Sequence, residues 1–417
     1  MFWIYNLLLY FILLLSPFII IYRLIIKKED LNRFKEKFCF FSHKKPNNKN
    51  VIWFHGSSVG EINSIIPLIE KLERDKNIDI ILITSSTLSS SKVLSKFKFK
   101  KIIHQFFPID TKHFANKFLD YWNPKVVFFI ESEIWPNMIT NIKKRKISLI
   151  LLNSRLTKKT FKRWIKFPNL SKSIFNKFDL CLPQNEQTKK FLKMLGCKKI
   201  KKIGNIKFSG TQKVTTVEFN KNIKKFFKSK RIWCASSTHE SEEILCGLSH
   251  QKIKKKYNNL LTIIIPRHIN RIGEIKKNLE NIGLKVHIHS SRDKINKKTD
   301  IYLVNTYGET QSFFNICKTI FLGGSIVKHG GQNPLEPARF GCKIIHGPNI
   351  ENFKEVYELL KYKKISFKIN NINQLNKEII KSFKQKSNKE KKVLNLRRYG
   401  VKILNETLVE INKFIKN

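Results

Sequence analysis

The 417-residue chain carries 81 Lys+Arg against 31 Asp+Glu, a formal net charge of +50 at pH 7, and is too long for one ordinary core, so two domains are expected. Its seven cysteines are scattered, odd in number and without a CxxC pair, which argues against a disulfide scaffold or a zinc site and fits reduced thiols. The lysines run the whole length in short clusters such as KFKFKK and KKIKKIG, with no nucleic-acid module beside them; in a chain rich in Lys, Asn, Ile and Phe together most of the charge reads as compositional background, helped by attraction to an anionic membrane surface and acidic substrates.

Phe2 to Ile21 contains no charged residue and is about long enough to cross a bilayer as a helix. Arg23, Lys27 and Lys28 follow it and no cation precedes it, which sets the body of the protein on the cytoplasmic side and the N-terminus outside. Asn6 and Pro17 weaken a spanning helix, so a shallow interfacial anchor stays open. A cleaved signal peptide would want a basic start and a small-residue cleavage site, and the segment has neither.

Beyond the anchor, apolar runs alternate with helix-length stretches. They fall at 51–55, 78–86, 101–109, 126–132, 148–153 and 179–184, then at 231–237, 260–267, 284–290, 300–305, 319–325 and 342–347. Such runs read as buried parallel strands in βαβ units. A polar, Lys-rich linker around 209–230 separates the two series. The expected domains are an anchor (1–28), a first Rossmann-like domain (35–210), a second (230–373) and basic C-terminal helices (374–417). Two doubly wound α/β domains facing a cleft are the economical architecture.

In such sheets ligands collect where strands end. The run 51–55 leads into Gly56-Ser57-Ser58-Val59-Gly60-Glu61, where Ser58 and Glu61 also fit a capping box. The run 126–132 ends in Glu131-Ser132-Glu133, two carboxylates costly to bury unless paired or used. Pro266-Arg267 ends another strand, with a guanidinium shaped for phosphate or carboxylate. Asn305-Thr306-Tyr307-Gly308-Glu309 ends the next. GGSIVKHGGQNPLEP (323–337) closes the series, and there Asn333 is expected as N-cap, Pro334 as first helical residue and Glu336 as the reciprocal cap. Arg267, Gly308, Glu309, Gly323, Gly324, Asn333 and Glu336 suit a nucleotide-sugar, with the glycine pairs giving it close backbone approach; Glu61 and Glu131 suit an acceptor and a general base. No GxxxxGK[ST] or well-formed GxGxxG is present, which leaves a nucleoside triphosphatase or a dehydrogenase poorly supported.

Seven segments in order, HGSSVGE (55–61), ESEIWPN (131–137), LLNSRL (151–156), GNIKF (204–208), IIPRH (264–268), NTYGE (305–309) and GGQNPLEP (330–337), resemble the 3-deoxy-D-manno-octulosonic acid (Kdo) transferases of lipopolysaccharide assembly. The resemblance runs from the anchor to about residue 360. It implies a GT-B fold and inverting, metal-independent transfer without a cofactor. The implied donor is CMP-Kdo and the acceptor the lipid A precursor lipid IVA, at the cytoplasmic face of the inner membrane. It also implies Glu61 as proton acceptor and Glu131 and Lys207 as stabilisers of the transition state. Pro266, Arg267, Tyr307, Gly308, Glu309, Asn333, Pro334, Leu335 and Glu336 match its CMP-contacting segments. Gly56 stands where the family usually has alanine, Asn305 where it often has aspartate and Gln332 where histidine is common; TSSTLSS (84–90) lacks an expected proline and glycine. The alternatives are another GT-B nucleotide-sugar enzyme, or a basic membrane-associated binding protein without chemistry.

Overall fold

The computed structural model describes residues 2–45, 47–95, 97–210, 217–290, 294–385 and 388–416, so the part of the linker at 211–216 lies outside the described residues. The chain divides into two compact units, the first formed by 1–211 with 399–417 and the second by 212–398. The sequence sets 374–417 apart; in the structure the helix Ile372–Lys384 groups with the second unit, and the helix Lys389–Ile415 passes from the second unit into the first.

The first unit is built on a parallel sheet of β1 (Val51–His55), β2 (Ile80–Ser85), β3 (Ile102–Phe106), β4 (Val126–Ile130), β5 (Ser148–Ser154) and β6 (Leu180–Pro183), in the order β3-β2-β1-β4-β5-β6. Every residue of β1, β2 and β4 is buried, the reason these central strands read as unbroken apolar runs. Aromatic pairs lock β1 to β4: Phe54 stacks on Phe128 at 4.6 Å and Trp53 meets Phe129 edge-on at 5.6 Å. The chain leaves β3 at one edge and restarts at β4 in the middle. β1 and β4 therefore flank the topological switch point, the place where sheets of this kind collect ligands beyond the carboxyl ends of their strands.

The second unit repeats the plan with β7 (Arg231–Thr238), β8 (Leu260–Pro266), β9 (Val286–Ile288), β10 (Ile301–Leu303), β11 (Thr319–Leu322), β12 (Lys343–His346) and β13 (Ser366–Lys368), in the order β13-β12-β11-β7-β8-β10-β9. Its switch point lies between β7 and β11. Each of the twelve apolar runs falls on a strand. The thirteenth, β13, is three residues of mixed polarity at the sheet edge, too short to leave a pattern.

The N-terminal helix Phe2–Ile25 has a mean hydropathy of 2.4 and is long and apolar enough to cross a membrane.

Candidate active site

In the first unit the carboxyl ends of β1 and β4 bring three carboxylates together. Ser58 caps the helix Val59–Leu72: its hydroxyl accepts from the Glu61 N–H at 3.3 Å, while the Glu61 carboxylate accepts from the Ser58 N–H at 2.9 Å. The capping box read from the sequence is formed, and it aims Glu61 back toward the strand end. Glu61 is 9% exposed. Burial first, then the negative charge of Glu133 and more weakly that of Glu131, push its pKa up to about 7, against the pull of the Ser58 and Ser57 N–H groups. It titrates where a general base is useful.

Glu133 behaves oppositely. Burial pushes its pKa up, but hydrogen bonds and charge from His55, with bonds from Ser57 and Trp135, outweigh that and hold it below the usual range. Its Oε2 accepts from Ser57 Oγ at 2.6 Å and Trp135 Nε1 at 2.8 Å, and lies 3.0 Å from His55 Nε2. A carboxylate so engaged acts as a fixed negative charge beside Glu61.

Glu131 is buried and adopts φ +56°, the left-handed region that a residue with a side chain visits at some cost. The end of β5 holds it there: its N–H donates to Leu152 O at 2.9 Å, and its carbonyl accepts from the Arg155 N–H at 3.2 Å. Its carboxylate pairs with Lys207 Nζ. Lys207 sits on the short 3-10 turn Ile206–Ser209, which other strand ends moor. Asn153 Oδ1 accepts from the Ile206 N–H at 3.0 Å, Gln184 Nε2 donates to Asn153 O at 2.9 Å, and Asn205 joins Gln184 at 2.9 Å and the Lys207 N–H at 2.9 Å. Glu61, Glu131 and Lys207 thus gather at the carboxyl end of one sheet, beyond its central strands.

In the second unit Pro266 ends β8, and Arg267 follows it, exposed, with its N–H on Thr238 O at 2.9 Å. Tyr307 is 73% exposed and Gly308 has φ +86°. Glu309 Oε2 lies 2.6 Å from His289 Nε2. The helix expected to start at Pro334 starts at Leu335 and runs only to Arg339, with Pro334 as N-cap. Asn333 Oδ1 accepts from the Leu335 N–H at 3.0 Å, but Glu336 does not reach back; Gln311 Nε2, two residues beyond Glu309, donates to it at 3.1 Å. The expected capping box fails because another side chain claims the carboxylate, and a helix of five residues has little dipole to offer a phosphate. Gln311 instead ties the 307–309 and 333–336 segments together.

In the glycine pairs, Gly324, Gly330 and Gly331 take φ +64°, +80° and +77°, the left-handed region that favours glycine, and Gly323 answers to packing. A Cβ on Gly323 would lie 2.4 Å from Ser237 O, 2.5 Å from Thr238 Cα and 2.7 Å from Glu242 Oε2. Gly323→Ala is expected to destabilise the protein by at least about 2 kcal/mol, read as a fall in the denaturation midpoint at unchanged m-value.

Two residues after β7 escaped the sequence reading. Glu242, fully buried, accepts four backbone N–H groups: Oε2 from His239 at 3.0 Å and Gly324 at 2.7 Å, Oε1 from Ser325 at 3.1 Å and Ile326 at 3.0 Å. It binds the loop after β11 to the end of β7. His239 stacks on His329 at 4.2 Å, meets His268 edge-on at 5.9 Å and lies 3.3 Å from Gln332 Nε2. Burial, then His329, with His268 and Arg267 adding and Glu242 opposing, holds the His239 pKa below the usual range. The result is a histidine cluster at the carboxyl edge of β7 and β8 that links Arg267 to the segment beginning at Gln332. Applying the strand-end rule to β7, as to its neighbours, points to the segment 239–243 that holds both residues. A separate cavity of about 660 Å³, lined by Phe219, Phe227, Arg231, Lys318 and Phe383, opens at the amino ends of β7 and β11 and contains none of these groups.

A family model described as 3-Deoxy-D-manno-octulosonic-acid transferase (kdotransferase) matches residues 32–210. Over 417 residues the chain is 33% identical to a 3-deoxy-D-manno-octulosonic acid transferase of Rickettsia bellii (strain RML369-C), covering 97% of each. Over 332 residues it is 29% identical to the Haemophilus influenzae protein of the same name, covering 79% of this chain and 78% of that one. The fold is also that of a putative UDP-N-acetylglucosamine 2-epimerase from Listeria monocytogenes, with a TM-score of 0.58 at 14% identity over 88% of this chain and 97% of that one.

Proposed function

The chain belongs to the 3-deoxy-D-manno-octulosonic acid (Kdo) transferase family and is a glycosyltransferase of lipopolysaccharide biosynthesis; from that premise we propose that it moves Kdo from CMP-Kdo to lipid IVA, a lipid A precursor, with inversion and with Glu61 as the base. The observation that carries the reading is Glu61 itself: fixed by its capping box at a switch point, buried, and poised near neutrality by Glu133 and Glu131.

In this scheme ionised Glu61 takes the proton from a sugar hydroxyl of the lipid as that oxygen bonds to the anomeric carbon of Kdo. The bond from that carbon to the CMP phosphate breaks, its electron pair leaves with CMP, and the configuration inverts. Lys207, held by Glu131, supplies positive charge for the Kdo carboxylate beside the oxocarbenium-like centre. Charge growing on the CMP phosphate is met by the Arg267 guanidinium, with the His239 imidazole beside it as a hydrogen-bond donor. Pro266, Tyr307, Gly308, Glu309, Asn333, Pro334, Leu335 and Glu336 line the remaining donor contacts, and the scheme asks for no metal or other cofactor. The helix Phe2–Ile25 attaches the enzyme to the anionic membrane that carries its acceptor, the inner membrane on its cytoplasmic side.

Incubating the purified full-length protein with CMP-Kdo and a tetraacylated lipid A precursor tests this, with the product read by mass. Added Kdo mass on the lipid supports it; cleavage of CMP-Kdo without lipid product overturns it. The pH profile carries a finer expectation. kcat/KM rises through an apparent pKa of about 7 as Glu61 ionises. Glu133→Gln removes a negative neighbour that raises this pKa, so the acidic limb moves to lower pH.

A further inference from the structure

A helix that crosses a bilayer leaves its soluble body at one end, and its far end then lies about 30 Å away. The helix Phe2–Ile25 does not part from its unit in this way. Phe2 packs on the apolar core of the first unit. Tyr5 donates its hydroxyl to Asp110 Oδ2 at 2.7 Å, and Asn6 Oδ1 accepts from Asn137 Nδ2 at 2.7 Å. From there a stripe of buried or half-buried positions, Leu9, Leu13, Ser16, Ile20 and Arg23, follows at intervals of three and four to the other end. Arg23 then pairs with Glu29 at 3.0 Å, and Glu29 with Lys37 at 2.6 Å.

The docking partner is itself structural. Asp110 is buried, and besides Tyr5 it accepts the Asn137 and Met138 N–H groups at 3.0 and 2.8 Å, opening the helix Pro136–Lys144. Sending the amino end through a bilayer would break both side-chain bonds and carry Asn6 into hydrocarbon. The outward face fits one leaflet instead. Leu7, Leu8, Phe11, Leu14 and Phe18 are exposed along it, Trp3 and Tyr22 are exposed near its ends, and exposed Lys27 and Lys28 follow. The same unit also carries exposed Ile165 and Phe167 among exposed Lys158, Lys159, Lys162, Arg163 and Lys166, at and just after the helix Lys158–Ile165, a composition complementary to anionic lipid.

We propose that the helix Phe2–Ile25 lies in one leaflet of an anionic bilayer as an interfacial element, its amino end on the same side of the membrane as the catalytic body. This rests on the membrane attachment in the proposed function and replaces a crossing with a seat.

All seven cysteines are buried, so an added thiol reports alone. The full-length protein is expressed with an N-terminal extension carrying one cysteine, and separately as Tyr362→Cys, which reports the body because Tyr362 is 84% exposed. Inside-out inner-membrane vesicles of each are treated with a membrane-impermeant maleimide, with and without detergent. Equal labelling of both thiols without detergent is the expected result. Protection of the N-terminal thiol until detergent is added, while Tyr362→Cys reacts freely, overturns the interfacial seat and leaves membrane attachment standing. Failure of the protein to float with the vesicles overturns both.

Discussion

Glu61→Gln is expected to lower kcat for Kdo transfer by about 10²–10⁴-fold while CMP still binds with its original affinity, measured by steady-state kinetics and calorimetry on the same preparation. The amide oxygen can still accept the Ser58 N–H, so the capping box and the fold survive, and the lost turnover reports the chemistry. CMP affinity is the control because the donor contacts are assigned to the second unit, in segments that share no residue with the Ser58–Glu61 turn. Undiminished transfer by this variant would remove Glu61 from the role of base. Loss of both turnover and CMP binding would place it in donor recognition.

Glu242→Ala should be the most destabilising single change in the second unit. Four buried N–H groups lose their acceptor at once. Each uncompensated donor costs about 1–3 kcal/mol, so even with water entering the gap the total is at least roughly 4 kcal/mol. For a unit of this size that is about 10 °C in Tm, read by calorimetry. Glu242→Gln is expected to be nearly as harmful, because each carboxylate oxygen takes two N–H groups and an amide would turn NH2 toward one pair. A Tm within about 2 °C of the parent for either variant would show that the loop after β11 holds its shape without this carboxylate.

The frame was legible because burial on both sheet faces writes itself as apolar runs: VVFFI can be little else. The Ser58–Glu61 box was legible because both partners lie within one turn of helix. Glu336 misled, since its sequence context matches that of Glu61, and only the fold reveals that Gln311 takes its carboxylate. Glu242 stands among Glu240 and Glu243 in HESEE, and no local pattern singles out the one whose oxygens meet a loop more than 80 residues away. The choice between Glu131 and Glu133 was equally hidden. His55 and Ser57 occupy Glu133 together with the nearby Trp135, while Glu131 faces Lys207, and His55, Ser57 and Lys207 all come from distant stretches of chain.

The mooring of Lys207 has a consequence for anyone exchanging parts among relatives. Its ammonium takes its bearing from Asn153, Gln184 and Asn205, so the five letters GNIKF are only the visible tip of a unit that spans the ends of β5 and β6. A graft of residues 204–208 alone imports a cation without its compass. The smallest portable piece is the turn together with both amide-bearing side chains beneath it.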